Sequence, residues 1–493
     1  MLFYSPSFLW FFLGVYALFH MVPGRWRWMV LLAASLLFYM FDSPFMVLIP
    51  LVLILTAWFG ASLIARERKP GLKKMVFFLG AGIILGVLVF YKYLYVILLS
   101  CSHLCSALNL QSQGSGTEPF PWLQELMIPL GLSYITFQSL AYLIEVYRGT
   151  NPALPHLGYF ATFLLFFPKI FAGPVERAHL FIPQLAAVYQ FDYQRSTQGI
   201  RRFCWGFFKK TVVSAQLLPL TDAFFNHPED FSGIYLMAAA FLFLLQLYAD
   251  FSGYTDMAIG LAQLFGLKLT ENFRLPYRAT TTTELWRRWH ISLSTWFFEY
   301  VFNPLALSAR KLGKWAVVLS VFVTFLLLGL WHGANLTFIV FGLLQAVFLS
   351  IEFLSQKIRR RLARRLPPLL TKVTGFLYVT VFFSVSLVFF RAASFEDAMA
   401  MLQRMFYGIP ASFNDLIGLE PVSHYEGDRY NVLLIVFFIV LMIFGDEFFN
   451  HDNRIKDFLA RPLIFRWMVY CFFLVLIAWF GVFGTEAFIY FRF

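Results

Sequence analysis

Charge is what this 493-residue sequence has least of: Asp, Glu, Lys and Arg together make up 13% of it, about half the share in an ordinary soluble domain. That shortage excludes a soluble globular protein. The excess lies in apolar residues, at 60% hydrophobic, 20% aromatic and a mean hydropathy of +0.69. They run on without the spacing of a half-buried helix, and residues 315–330 and 432–444 contain no charge at all. Cysteine is scarce too. Cys101, Cys105, Cys204 and Cys471 are too few to staple a chain of this length, so a disulfide-framed fold is excluded. Cys101 and Cys105 flank His103, but no second ligand pair follows at a zinc spacing, and no metal site is expected. Internal repeats and low-complexity linkers are missing, and no loop is long enough for a second domain, so residues 1–493 read as one membrane domain.

What is present is enough apolar sequence, at roughly 20 residues per crossing, for about ten to twelve membrane helices. The first, residues 5–22, has no basic stretch before it and no small-residue cleavage site after it, and reads as a retained span. The net charge is +12. Nucleic-acid binding would need a basic face on a folded domain, and none is available. The cations gather instead in short connections: Arg66, Arg68, Lys69, Lys73 and Lys74 in one, and the stretch 357–372 with Arg359, Arg360 and Arg361 in another. The positive-inside rule makes these cytoplasmic. Residues 102–125 carry no Lys or Arg and the stretch 391–429 has more acids than bases, so both are expected outside. Counting spans from these anchors puts both termini on the extracytoplasmic side.

Polar residues become unusual in the middle of the chain. An apolar run is interrupted by ADFSGYTDMAIG, which sets Asp250 and Asp256 in or at the edge of a membrane segment, with a helix break expected at Gly253. Intramembrane acids are costly and face a partner or a water-filled cavity. A structural hydrogen-bond network, a proton or cation path and the wall of a substrate tunnel all fit that pattern. Residues 283–300 then read as an amphipathic helix lying at the interface, anchored by Trp286, Trp289 and Trp296, with Arg287 and Arg288 at head-group level. These arginines, with Lys209 and Lys210, are candidates to receive a phosphate-bearing donor; His290 beside them reads as a satisfied polar residue on the bland view. GLWHGAN (329–335) falls between two apolar helices, at the tip of a hairpin. It holds His332 in an apolar surround that keeps an imidazole neutral, as a general base requires, with Gly333 and Ala334 expected to leave room beside it.

These pieces, in this order, resemble the membrane-bound O-acyltransferases, and specifically the bacterial branch that acylates cell-envelope polymers, including alginate O-acetylation and teichoic-acid D-alanylation proteins. The resemblance runs over 128–493: IPLGLSYITFQSLAYLIEVYR (128–148), FFPKIFAGPVER (166–177), GIRRFCWGFFKK (199–210), DFSGYTDMAIG (250–260), NFRLPY (272–277), WRRWHISLS (286–294), WHGA (331–334) and the terminal FIYFRF (488–493). It is nearest to the alginate O-acetylation type. One departure stands out. Where that type continues into a Pro-Leu-Gly-Gly motif, this chain reads FEYVFNPLALS, which implies a differently shaped cytoplasmic mouth.

The resemblance implies an all-α polytopic membrane protein in which a ring of helices, with re-entrant and interfacial helices, surrounds a central tunnel. It places the protein in the bacterial cytoplasmic membrane. His332 matches the family's WHGA histidine and His290 its second histidine, making both catalytic candidates. Asp250, Asp256, Lys209, Lys210, Arg287, Arg288 and Asn335 are candidates for the donor side and the tunnel wall. The implied donor is a cytoplasmic thioester, acetyl-CoA or an acyl-carrier protein, with no bound cofactor. The acyl group would pass to an extracytoplasmic polysaccharide through a partner transferase, SGNH-type or similar. Tyr490, in FIYFRF, is a candidate acyl relay, since a tyrosine hydroxyl becomes a competent nucleophile beside a base; a membrane-anchoring end is the plainer reading. The competing function is an ion- or proton-coupled transporter using Asp250, Asp256 and the histidines. It predicts broken helices in symmetric pairs, and the sequence has no such symmetry.

Overall fold

The computed structural model describes residues 1–41, 44–107, 129–231, 233–407 and 429–483, and every regular element among them is helical. Helices are what such a sequence must form in lipid, where each backbone polar group needs a partner within its own segment. Among the described residues eight are long and apolar enough to cross a membrane: Pro44–Arg66, Pro70–Leu94, Gly233–Leu264, Lys314–His332, Leu336–Leu354, Pro368–Arg391, Val432–Phe449 and Leu463–Phe480. Two shorter apolar helices, Pro6–Met21 and Leu157–Lys169, accompany them. The protein is an all-α, multi-pass membrane protein. Its contacts group into two units, Met1–Ile200 with Ala258–Thr270, and Arg201–Met257 with Glu271–Phe493.

The first unit contains α1 (Pro6–Met21), α2 (Arg27–Met40), α3 (Leu48–Arg66), α4 (Pro70–Ala107), α5 (Leu132–Arg148), α6 (Leu157–Leu165), α7 (Ala178–Ala186) and the start of α8 (Tyr193–Phe208). α5 is buried almost all round, and α3 and α4 close on it at Leu143. A Cβ on Gly60 or Gly80 would stand 3.2 or 3.1 Å from a Leu143 methyl. Gly131 starts α5 at φ +63°, where a Cβ would meet the Ile170 carbonyl at 2.2 Å, so no other residue fits. Buried Lys169 bonds to Gln138 and lies 4.1 Å from the Phe163 ring centre, while Glu176 accepts from the backbone and hydroxyl of Thr270. The connection from 170 to 177 is thereby stitched from both ends.

The second unit begins with the rest of α8, a π-helical turn (Lys209–Ser214), α9 (Ala215–Asn226) and α10 (Gly233–Leu264) as far as Met257. It continues with α11 (Thr282–Arg288), α12 (Ile291–Phe297), a second π turn (Phe298–Phe302), α13 (Asn303–Ser308), α14 (Lys314–His332), α15 (Leu336–Leu354), α16 (Gln356–Ala363) and α17 (Pro368–Arg391). It ends with α18 (Phe395–Tyr407), α19 (Arg429–Phe449), α20 (Asp452–Leu459) and α21 (Leu463–Phe480). Two expectations are corrected here. No break occurs at Gly253: α10 runs unbroken for 32 residues. The missing side chain instead lets α8 approach, since a Cβ on Gly206 would lie 2.4 Å from the Gly253 carbonyl and one on Gly253 2.7 Å from that of Gly206. Nor is 283–300 one interfacial helix. It is two short helices with a left-handed corner between them, followed by a π turn. Trp286, Trp289 and Trp296 are buried in protein rather than set at a lipid surface.

Candidate functional site

The hairpin of α14 and α15 presents His332. Its two helices meet through glycines: a Cβ on Gly329 would lie 2.4 Å from the Phe338 carbonyl, and one on Gly342 2.3 Å from that of Phe325. α14 ends at His332 itself, capped by Gly333. Asn335 opens α15, its side-chain oxygen accepting from the Thr337 N–H at 3.3 Å and its amide donating to the Ala393 carbonyl at 2.9 Å. The room expected beside Gly333 is taken by the Phe338 ring, 2.6 Å from where a Cβ would be. His332 is buried, with Phe390 edge-on at 4.9 Å.

His290 arrives from a different direction. α11 is only seven residues long, too short to persist alone, and it is held by its caps. The Thr281 hydroxyl accepts the Glu284 N–H at 3.0 Å, and the Glu284 carboxylate accepts from the Thr280 N–H at 2.9 Å. Glu352, near the end of α15, takes the N–H groups of Thr282 and Thr283 and the Thr283 hydroxyl. The first-turn donors of α11 are thus satisfied. After α11 the chain turns through His290 at φ +44°, one of two non-glycine residues with positive φ among the described residues. Such a backbone costs roughly 1–2 kcal/mol and persists only where its surroundings fix it. Asn272 fixes it: its carbonyl accepts the Ile291 N–H at 2.9 Å, and its side-chain oxygen takes the N–H and hydroxyl of Ser292. His290 lies between spanning helices rather than within one, and burial pushes its imidazole down to about 3, so the ring is neutral at physiological pH.

The two histidines line one cavity. Its walls are otherwise apolar or aromatic, including Leu247, Trp286, Trp289, Phe383 and Phe390, and its volume is about 10 Å³, room for about one water. Trp331 touches both rings, at 4.6 Å from His332 and 6.2 Å from His290, and Phe251 meets His290 edge-on at 4.6 Å. A neutral imidazole offers one acceptor and one donor nitrogen. Two imidazoles on one aromatic-walled space can take a proton from a hydroxyl and donate a hydrogen bond to a developing oxyanion. Trp286 is tied in place through its indole N–H to Gln345 at 3.3 Å, and Gln345 in turn donates to the Ser386 hydroxyl at 2.8 Å.

Lys209, Lys210, Asp250 and Asp256 come together beside this cavity as a buried charge cluster. Lys209 Nζ lies 2.6 Å from Asp256, 3.1 Å from Asp446 and 2.9 Å from the Ser252 hydroxyl, and Lys210 pairs with Asp250. Arg202 bonds to Asp256 and Glu271. Tyr248 and Trp205 donate to Asp446 at 2.6 and 2.8 Å. Tyr248 packs 6.2 Å from Trp289, a wall of the histidine cavity. Asp446, Gln345, Glu352 and Asn272 are residues that reading the sequence misses. Asp446 and Glu352 each sit at the end of an apolar run, the same signal that marks Asp250. Gln345 and Asn272 carry no signal beyond being polar.

Arg287 and Arg288 remain at the surface. Arg287 is exposed, and Arg288 pairs with Glu284 at 2.9 Å and donates to the Arg274 carbonyl at 3.0 Å. Tyr490 and the rest of FIYFRF lie outside the described residues, as do the side chains of His103 and Cys105.

Residues 88–392, which include both histidines, match the family model described as the membrane-bound O-acyltransferase family. Among curated proteins, the chain is 32% identical over 470 residues to the probable alginate O-acetylase AlgI of Azotobacter vinelandii, covering 94% of this chain and 87% of that protein. It is 30% identical over 443 residues to the peptidoglycan O-acetyltransferase of Helicobacter pylori, covering 82% and 80%. A shorter match, 31% over 231 residues, covers 45% of this chain and 58% of the teichoic acid D-alanyltransferase of Bacillus subtilis. A helical membrane scaffold that converges two histidines on one aromatic-walled cavity is thus accounted for: the chain belongs to the membrane-bound O-acyltransferase family and is an O-acyltransferase.

Proposed function

We propose that this protein passes an acetyl group from a cytoplasmic thioester, acetyl-CoA or an acyl-carrier protein, toward an extracytoplasmic polysaccharide, as the membrane subunit of an envelope O-acetylation system. The carrying observation is the single cavity shared by His332 and His290. His332 removes the proton of the acceptor hydroxyl. The hydroxyl oxygen attacks the thioester carbonyl, the C–S bond breaks from the tetrahedral intermediate, and the proton goes to the leaving thiolate. His290, neutral and fixed by its strained corner, donates a hydrogen bond to the oxyanion. Exposed Arg287 and half-exposed Arg288 suit the phosphates of the donor.

The relatives named as alginate and peptidoglycan O-acetyltransferases support a polysaccharide as the final acceptor. Both histidines are buried among aromatic rings, which favours delivery through a single small side chain and a separate extracytoplasmic transferase of SGNH or similar type. Tyr490 is the relay: its hydroxyl takes the acetyl group at His332 and gives it up to that partner. The setting is the bacterial cytoplasmic membrane, with both termini outside.

The test is base-labile acetate released from envelope polysaccharide in cells carrying His332→Ala, with wild type and a deletion as references and membrane expression verified. Loss to the deletion level is expected; retention of wild-type acetylation would overturn the assignment of His332. Tyr490→Phe keeps an aromatic anchor and removes the acceptor hydroxyl, so it is expected to abolish polymer acetylation and acceptor-dependent thioester cleavage together. Normal polymer acetylation in that variant would remove the relay.

A further inference from the structure

A second space lies on the flank of the same unit, away from the histidines. α15 and α17 frame an apolar groove of about 550 Å³, lined by Leu344 and Phe348 on one side and Leu377, Tyr378, Val381 and Phe382 on the other. Both helices are among those that cross the membrane, and Leu377 and Val381 are exposed, so the groove opens where lipid chains are. Its volume is that of a ligand pocket.

The segment joining these two helices is α16, and it is strongly basic. Lys357, Arg359, Arg360, Arg361, Arg364 and Arg365 fall within nine residues that contain no acid, and all are exposed. Ile358 and Leu362, four apart and so on one helical face, are 70% and 56% exposed. A short helix with cations and an uncovered apolar stripe suits the membrane surface. Arg359 is tied to the carbonyl of Glu352 and the hydroxyl of Ser355, which fixes the basic helix to the end of α15. From Phe348 to the start of α16 is eight residues of mostly helical rise, roughly 12 Å. That is close to the depth of one leaflet's hydrocarbon, about half of the ~30 Å core.

We propose that this groove and this helix together form a site for one anionic phospholipid, an acyl chain lying between α15 and α17 and the phosphate head group on the arginines of α16. The apolar groove alone would accept any lipid. Charge complementarity selects the occupant: a zwitterionic head group gains little from a cluster of six cations, whereas an anionic one gains from each cation it reaches. The site goes beyond the acyl-transfer reading and does not depend on it.

The experiment uses the full-length protein in nanodiscs of phosphatidylcholine with phosphatidylglycerol at three to one. Lipid retained through detergent exchange is counted by native mass spectrometry. Wild type is expected to retain phosphatidylglycerol over phosphatidylcholine by about tenfold relative to the bulk ratio. Replacing Arg360, Arg361 and Arg364 together by Gln is expected to bring that preference near unity, and replacing the same three by Lys to keep it. Val381→Trp, which fills the groove from an exposed position, is expected to remove the retained lipid while the protein stays monodisperse. Retention at the bulk ratio in wild type, an unchanged preference in the Gln variant, or undiminished lipid in Val381→Trp would each overturn the proposal. So would a dimer in the mass spectrum that Val381→Trp abolishes, since a second copy would then be the occupant.

Discussion

At the scale of single residues, the two histidines differ in what surrounds them. His332 closes a spanning helix, whereas His290 sits at a left-handed corner that Asn272 holds. Burial lowers the His290 imidazole to about 3, against about 6.5 in an unfolded chain. Below pH 6.5 the unfolded state therefore takes up a proton that the folded state refuses. Stability from this residue is complete above pH 6.5 and falls as pH drops toward 3, by about 1.4 kcal/mol per pH unit. Thermal unfolding in detergent, followed between pH 7 and pH 5, is expected to show that slope in wild type and to lose it in His290→Gln. Both histidines were legible as motif positions. What fixes them was not, because a strained corner at a non-glycine residue leaves no mark in a sequence, and Asn272 reads as one polar residue among several.

Elements were legible to different degrees, for physical reasons. The α14–α15 hairpin could be read because two long uncharged runs flank a short polar turn. The segment 283–300 misled because tryptophans spaced along an arginine-bearing helix look the same whether they meet lipid or protein. Here short helices, capped by Glu284 and Glu352, fold the rings inward. Gly253 misled in the same way, since glycine marks a close helix approach as often as a break. The hairpin gives an element-scale prediction. Gly329→Ala places a methyl 2.4 Å from a backbone carbonyl that cannot swing aside, at a cost of about 1–3 kcal/mol. It moves His332 relative to His290. Acetylation is expected to drop at least tenfold in a protein that still reaches the membrane, read as acetate released per mole of protein. Gln345→Leu tests the neighbouring tie: it takes the acceptor from the Trp286 N–H, while the Ser386 hydroxyl still donates to the Phe383 carbonyl, and about 1–3 kcal/mol of stability is expected to go with it in a urea titration.

For the molecule as a whole, a multi-pass helical protein was readable from hydropathy alone, and the family from the order of its motifs. The internal charge cluster was half readable: Asp250 and Asp256 stood out, but their partners did not, because Lys209 and Lys210 look like a basic surface turn until α10 and α19 close over them. Removing one member leaves charge buried without its counter-ion. Lys209→Met is accordingly expected to destabilise by about 3–5 kcal/mol, measurable as a lowered melting midpoint. Its effect should be far from additive with that of Asp446→Leu. The histidine cavity has a consequence for how the enzyme waits. A thioester poised beside a base is open to hydrolysis, and a roomy site would spill acetyl groups into water between turnovers. A space of about 10 Å³ admits roughly one solvent molecule, and an acetyl group enters only by pushing aromatic rings outward. If the proposed thioester reaches this cavity, the resting protein guards it by being nearly full, and hydrolysis in the absence of acceptor is expected to be limited by how often those rings give way.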